Sequence, residues 1–189
     1  MQIASWNVNS VRTRLDHVLN WLEHSQADLL ALQETKVDDP QFPLEPFLQK
    51  GYEVQFYGQK AYNGVALISR TPVEDVRMGF SAELIDDAEA DELSAQKRVI
   101  SALIDGVRVV NLYVPNGSSL SSDKYSYKLT WLSCLERYLR AIQTRDEPLC
   151  VMGDFNIGLE ARDLPDPDRL SGGIMASDRE RDALRAALG

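Results

Sequence analysis

Long apolar runs are missing from this sequence of 189 residues. None reaches the roughly 18 residues that a membrane-spanning helix needs. Histidine and cysteine are scarce, at two each. His17 and His24 lie on one predicted helix, about 10 Å apart along its axis, too far to share a metal easily. Placed beside that helix's apolar stripe, they read as surface histidines. Cys134 and Cys150 fall inside apolar patterns, on a predicted helix and a predicted strand. Neither adjoins a ligand cluster, which argues against zinc, and both read as buried free thiols in a reducing cytoplasm. With no G-x-S-x-G and no histidine in a polar cluster, a serine or cysteine triad has no support. Positive charge is in deficit, 20 Lys and Arg against 29 Asp and Glu for a net −9. That balance disfavours passive nucleic-acid binding, although a local basic groove stays open. Six acids, Glu83, Asp86, Asp87, Glu89, Asp91 and Glu92, fall in one segment that reads as a solvated loop. Repeats, low-complexity tracts and Pro/Gly/Ser linkers are absent, and the length suits one domain. Met1 leads directly into the strand-like QIASWNV, which leaves no room for a signal peptide.

What remains is ordinary globular composition, 44% apolar and 26% charged. A strand over residues 2–6 precedes a helix near 11–25, where Val11, Leu15, Val18, Leu19 and Leu22 recur at helical spacing. DLLALQ (28–33) is a second strand, and a short helix around PLEPFLQK stops at Gly51. YEVQFYG, NGVALISR and PVEDVRM read as strands. KRVISALI and VRVVNLYV form a hairpin about Asp105-Gly106. A helix over roughly 123–143 carries Tyr127, Trp131, Leu135, Tyr138, Leu139 and Ile142 on one side. LCVMGDFN supplies another strand, and SDRERDALRAAL a last helix capped by Ser177. Hairpins mixed with helices imply an α+β fold of packed sheets with helices outside.

Four strands end in polar groups: Asn7 and Asn9, Gln33 and Glu34, Tyr113 and Asn116, Asp154 and Asn156. Residues two apart in an extended chain share a face, so Asp154 can point with Asn156, and Asn7 with Asn9. Such groups can cap helices or tie down turns. Four such ends in one chain point instead to a site built on loops at strand ends. Glu34 and Asp154, with the amide oxygens of Asn7 and Asn156, form a hard, all-oxygen set suited to Mg²⁺.

WNVNS (6–10), LQETK (32–36), GVALISR (64–70), YVPNG (113–117) and GDFN (153–156) together resemble the exonuclease III branch of the apurinic/apyrimidinic endonucleases. That branch lies within the endonuclease/exonuclease/phosphatase superfamily of Mg²⁺-dependent phosphodiesterases. QET or GDFN alone is weak. The five in family order, with KYSYKLTWL and the DPDR region, are specific, and YGQKAYNGVALISR favours the exonuclease III branch over the phosphatases and sphingomyelinases. The resemblance implies a single domain over 1–189, a four-layer α/β/β/α sandwich of two packed mixed β-sheets flanked by helices. It implies a cytoplasmic, monomeric nuclease of base excision repair that nicks 5′ to abasic sites and degrades from 3′ ends. The implied cofactor is Mg²⁺, with Mn²⁺ able to replace it, and the implied partner is double-stranded DNA bearing an abasic site, nick or 3′ end. Glu34 would be the principal ligand with Asn7 beside it, and Asp154 and Asn156 would complete the metal set. Tyr113 would lie near the scissile phosphate, Asp154 would orient or deprotonate water, and Asn156 would donate to a phosphate oxygen. Asn9, Asn116 and Lys124 would contact the substrate. These roles suit phosphodiester hydrolysis, which needs a positioned water, a base, and donors or cations on the non-bridging oxygens.

The resemblance also implies more chain than is present. Family members continue through further strands to a Trp-Asp-Tyr segment and an Asp-His pair, for which no residue here is a match. The expectation is a member lacking its C-terminal strands, with an exposed sheet edge, poorly stable and nearly inactive. Two alternatives stay open: a superfamily phosphatase or phosphodiesterase acting on a small phosphorylated or lipid substrate, and an inactive module that binds DNA.

Overall fold

One tight turn and one helical crossover do much to decide the topology of the first unit. The computed structural model describes residues 1–189, which divide into two compact units. The first comprises 1–113 and 146–154, the second 114–145 and 155–189.

In the first unit, β1 (Ile3–Asn7) is followed by helix α1 (Leu15–His24) and β2 (Leu29–Gln33). Because β1 and β2 pair in parallel, they need a crossover rather than a hairpin, and α1 supplies it. After the short helix α2 (Glu45–Leu48), β3 (Glu53–Tyr57) and β4 (Val65–Ser69) complete a sheet of order β1-β2-β4-β3. Next come β5 (Glu74–Met78), helix α3 (Ala88–Ser94), β6 (Val99–Ile104) and β7 (Val107–Tyr113). Asp105 and Gly106, at φ +49° and +76°, form the turn between β6 and β7, both in the left-handed region that a type I′ hairpin requires. The last strand, β8 (Leu149–Asp154), pairs in parallel with β7 and gives a second sheet, β5-β6-β7-β8. Both sheets are mixed, as the resemblance implies.

Alternation along the strands sorts the core into two layers. Leu29 and Ala31 of β2 face the other sheet and pack with Val65, Leu67, Ile100, Ala102, Ile104 and Val109. Leu30 and Leu32 face the opposite way, onto Val18 and Leu22 of α1 and Phe47 of α2. Gly153 explains how β8 closes on β7. Its φ is +138°, and a Cβ there would lie 2.0 Å from the carbonyl oxygen of Leu112.

The second unit contains α4 (Asp123–Gln143), α5 (Pro167–Leu170) and α6 (Asp178–Leu188). Ser122 caps α4 by accepting from the N–H of Tyr125, and Ser177 and Glu180 form a capping box at α6.

Two expectations need correction. The acidic segment 83–92 is not wholly loop, because Asp87 accepts from the N–H of Ala90 and starts α3, which buries Ala90 and Leu93. A seven-residue helix that buries one narrow face leaves its acids in water, so its composition mimics a loop. Cys150 is only half-buried on edge strand β8, whereas Cys134 is buried. Burial pushes the Cys150 thiol up from its ordinary pKa, and both cysteines are free.

Arg108, on β7, is fully buried. Its guanidinium reaches Asp75 through Nη2 to Oδ2 at 2.5 Å and Nη1 to the carbonyl at 2.8 Å, and Glu147 through Nε at 3.3 Å. Arg77 also bonds Asp75. The bond from Arg77, against some desolvation and with help from Arg108, holds the Asp75 carboxyl below the usual carboxylate range. Asp75→Ala should therefore destabilise the chain by roughly 1–2 kcal/mol in urea unfolding at pH 7, because a buried cation loses a partner that is itself half-exposed and screened by water, while Glu147 remains. A depressed carboxyl stabilises above its unfolded pKa and loses that contribution as pH falls through its folded value. The gap between the native chain and the variant should thus close below about pH 4.

Candidate active site at the strand ends

Glu34 lies one residue past β2 with φ +55°. A glutamate in the left-handed region costs about 1–2 kcal/mol and marks a position held by its surroundings. Those surroundings are the continuing backbone. Residues 8–11 run on beside β2, with N–H groups of Val8, Ser10 and Val11 donating to the carbonyls of Gln33, Glu34 and Thr35 at 3.0, 2.7 and 3.1 Å. On the other side, Thr35 and Lys36 donate to Gly64 and Asn63.

Five predicted residues of the first unit meet here. Asn7 Nδ2 donates to Glu34 Oε1 at 2.9 Å and to Asp154 Oδ2 at 2.8 Å, so one amide group links two carboxylates. Its oxygen faces away and accepts from the N–H of Asn9 at 3.1 Å. In this arrangement Asn7 offers nitrogen to the carboxylates, and its oxygen, the only atom that could ligate a metal, is turned to the backbone. Tyr113 donates its hydroxyl to the same Glu34 Oε1 at 2.7 Å. Lys36 pairs with Glu34 Oε2 at 2.8 Å and donates to the side chain of Asn9.

These contacts set the charge states. Desolvation raises the pKa of Glu34, but the bonds from Asn7, Lys36 and Tyr113, with the Lys36 charge, outweigh it and hold the carboxyl below its ordinary value. Burial pushes the Tyr113 phenol up, as do its bond to Glu34 and that carboxylate's charge. Tyr113 is therefore a neutral hydroxyl donor at physiological pH. The Arg98 guanidinium stacks 4.5 Å above its ring and donates to its carbonyl.

Beneath this cluster lies a buried polar layer. Gln33 Nε2 donates to Asn111 Oδ1 at 2.7 Å across the two sheets, and Asn111 Nδ2 donates to the carbonyls of Leu32 and Ala66 at 2.9 and 3.0 Å. Ser5 completes the layer by bonding Gln33.

The other predicted residues belong to the second unit. Asn156, at φ +49°, donates to the carbonyl of Val114 at 2.9 Å, and its Oδ1 lies 3.5 Å from Nδ2 of the exposed Asn116. Lys124 is exposed on the first turn of α4. Asn111 escapes a reading based on strand ends, because it lies inside a strand and carries no spacing signal. Gln33 and Lys36 sit in the quoted LQETK beside Glu34, but nothing in that stretch names their partners. No three side chains of His, Cys, Asp or Glu are grouped to hold a metal anywhere in the structure. The cluster instead offers two carboxylates, which fits Mg²⁺, an ion that commonly takes one or two carboxylates and completes its shell with water and phosphate oxygens.

A sequence profile of the Endonuclease/Exonuclease/phosphatase family matches residues 4–186. Exodeoxyribonuclease III of Haemophilus influenzae is 33% identical over 169 residues, covering 87% of this chain and 60% of that protein. Among solved structures, a 3′ phosphatase from Neisseria bound to a product DNA hairpin superimposes with a TM-score of 0.90 at 40% identity. An AP endonuclease from Archaeoglobus fulgidus does so with a TM-score of 0.88 at 39% identity. Each comparison covers 100% of this chain and 70% of the solved chain. The chain thus spans about 60% of the length of the Haemophilus relative.

Replacing the inter-sheet amide tests the buried layer. Asn111→Leu strips a donor from two buried carbonyls and removes the shortest of the acceptors of Gln33, so it should cost about 2–4 kcal/mol in urea unfolding. It should also loosen the Tyr113–Glu34 bond, seen as a fall in the Tyr113 phenol pKa by ultraviolet titration.

Proposed function

Since the chain belongs to the Endonuclease/Exonuclease/phosphatase family, we propose that it is a Mg²⁺-dependent phosphodiesterase acting on DNA. In this reading residues 1–189 belong to one domain, C-terminally incomplete, of an enzyme that nicks duplex DNA 5′ to abasic sites and removes nucleotides from 3′ ends. The reading includes a monomer working in the cytoplasm. The single observation that carries it is the joining of Glu34 and Asp154, from strands of different sheets, through one amide of Asn7. Two carboxylates are not brought together in a folded core without a cation or donor to offset their repulsion.

Glu34 and Asp154 are the residues that would hold the ion, and Asn7 fixes their spacing. Bound there, Mg²⁺ supplies positive charge to the phosphate oxygens as charge builds on them. Asp154 orients the attacking water and accepts its proton. Tyr113, kept neutral, offers its hydroxyl beside Glu34 and serves as a donor rather than a phenolate. Asn156 donates to a non-bridging phosphate oxygen, while Asn9, Asn116 and Lys124 contact the DNA backbone. Lys36 offsets the charge of Glu34 and so keeps the pair from repelling an incoming phosphate. Relatives that include an AP endonuclease and a DNA-bound 3′ phosphatase support DNA as the substrate class.

A panel of an abasic-site duplex, a 3′-phosphorylated duplex and inositol phosphates tests the reading. Metal-dependent cleavage of the DNA substrates is expected, and hydrolysis of the inositol phosphates alone would refute it. Asp154→Asn should lower kcat by about 10²–10⁴-fold with little change in DNA affinity. Glu34→Ala should raise the Mg²⁺ concentration required for half-maximal rate.

A further inference from the structure

We propose that Lys128 is a positioning residue whose buried ammonium holds the two asparagine-bearing loops of the second unit in their working conformation. The inference rests on the roles assigned above to Asn116 and Asn156. Nothing in the reaction uses Lys128 directly. Its burial in the second turn of α4 is unusual, since both Lys128 and Glu180 of α6 are fully buried. A buried charge is tolerated only where bonds replace its hydration.

The bonds are specific. Lys128 Nζ donates to Glu180 Oε1 at 2.6 Å, to the carbonyl oxygen of Asn156 at 2.8 Å and to the carbonyl oxygen of Asn116 at 3.2 Å. One ammonium therefore joins the main chains of the very two residues whose amide side chains approach each other at 3.5 Å. Glu180 is in turn anchored by its capping box, accepting from the N–H and hydroxyl of Ser177 at 3.1 and 2.5 Å, and from the N–H of Met175 at 3.1 Å. Tyr125 hydroxyl and Ser177 Oγ add a 2.8 Å bond between the starts of α4 and α6. The loops need such restraint. Asn156 has a left-handed backbone at φ +49°, as has Ser118 at +63°. Gly117, at φ +92°, lets its loop close on the lysine stem, since a Cβ there would lie 3.2 Å from Lys128 Cδ and 2.9 Å from Ile174 Cδ1.

A lysine in this role converts the rigidity of two packed helices into the placement of two side chains. Misplacing a substrate-contacting group by about 1 Å can cost 10²-fold in rate. Lysine suits the task better than arginine, because a compact ammonium can donate in three divergent directions where a planar fork cannot.

The test uses hydrogen–deuterium exchange and DNA affinity on the chain as it stands. Lys128→Met leaves Glu180 buried without its cation, so Lys128→Met/Glu180→Gln is made alongside it to remove the uncompensated charge. In the double variant, exchange in residues 114–118 and 155–158 should rise at least 10-fold while the core of α4 and the strands keep their protection. Unchanged exchange in those loops, or a uniform rise across the chain, overturns the proposal. Affinity for an abasic-site duplex should fall about 10-fold. In an Asn116→Ala/Asn156→Ala background the same change should have less than a 2-fold effect, since the lysine acts through those side chains. A full 10-fold loss in that background overturns the positioning role. If the unsubstituted chain fails to bind the duplex, the functional reading falls, and exchange alone still decides whether Lys128 fixes the loops.

Discussion

The amide bridge between Gln33 and Asn111 is the constraint on which the first unit's strand-end chemistry depends. Hydrophobic packing between two sheets is tolerant of sliding, because apolar side chains gain nearly the same free energy in neighbouring registers. Buried amides are not tolerant, since a shift of one residue would strand several donors and acceptors in an apolar layer. By bonding Gln33, Leu32 and Ala66 at once, Asn111 fixes β7 against β2 and β4. Glu34 follows Gln33 by one residue and Tyr113 follows Asn111 by two, so the 2.7 Å bond between them inherits that register.

Seen this way, the cluster is layered. Apolar packing brings the sheets together, the amides select one alignment, and the strand ends then carry acid, phenol and amide to a common point. Asn7 finishes the arrangement by donating to both carboxylates. Lys36 and the raised pKa of Tyr113 keep the charges complementary, with one acid ionised and its phenol neighbour neutral. The left-handed backbone at Glu34 fits the same logic, as its unfavourable conformation is held by bonds to both flanking segments.

Much of this is legible in the sequence. The bounds of α4 agree with its apolar periodicity at both ends, and Asp105-Gly106 forms the hairpin its chemistry specifies. Glu34, Tyr113 and Asp154 stand out as polar groups closing apolar strands, and the structure joins the two acids through Asn7 and bonds Tyr113 to Glu34. The buried partners were harder to see. Asn111 and Lys128 sit inside a strand and a helix, away from the ends where polar groups draw attention, and their value comes from neighbours 78 and 52 residues away respectively. Local patterns hold no trace of such pairings. Helix α3 was obscured for a different reason, since its acids dominate the composition while only Ala90, Leu93 and Ser94 turn inward.

The parallel pairing of β7 with β8 has a kinetic side. All of residues 114–148 separate the two strands, so the first unit cannot complete its second sheet until a distant segment returns to its edge. Non-local pairings of this kind form late, because chain entropy must be surrendered before they reward it. Asp154 arrives with that last strand. The acid pair therefore exists only in molecules whose second sheet has closed.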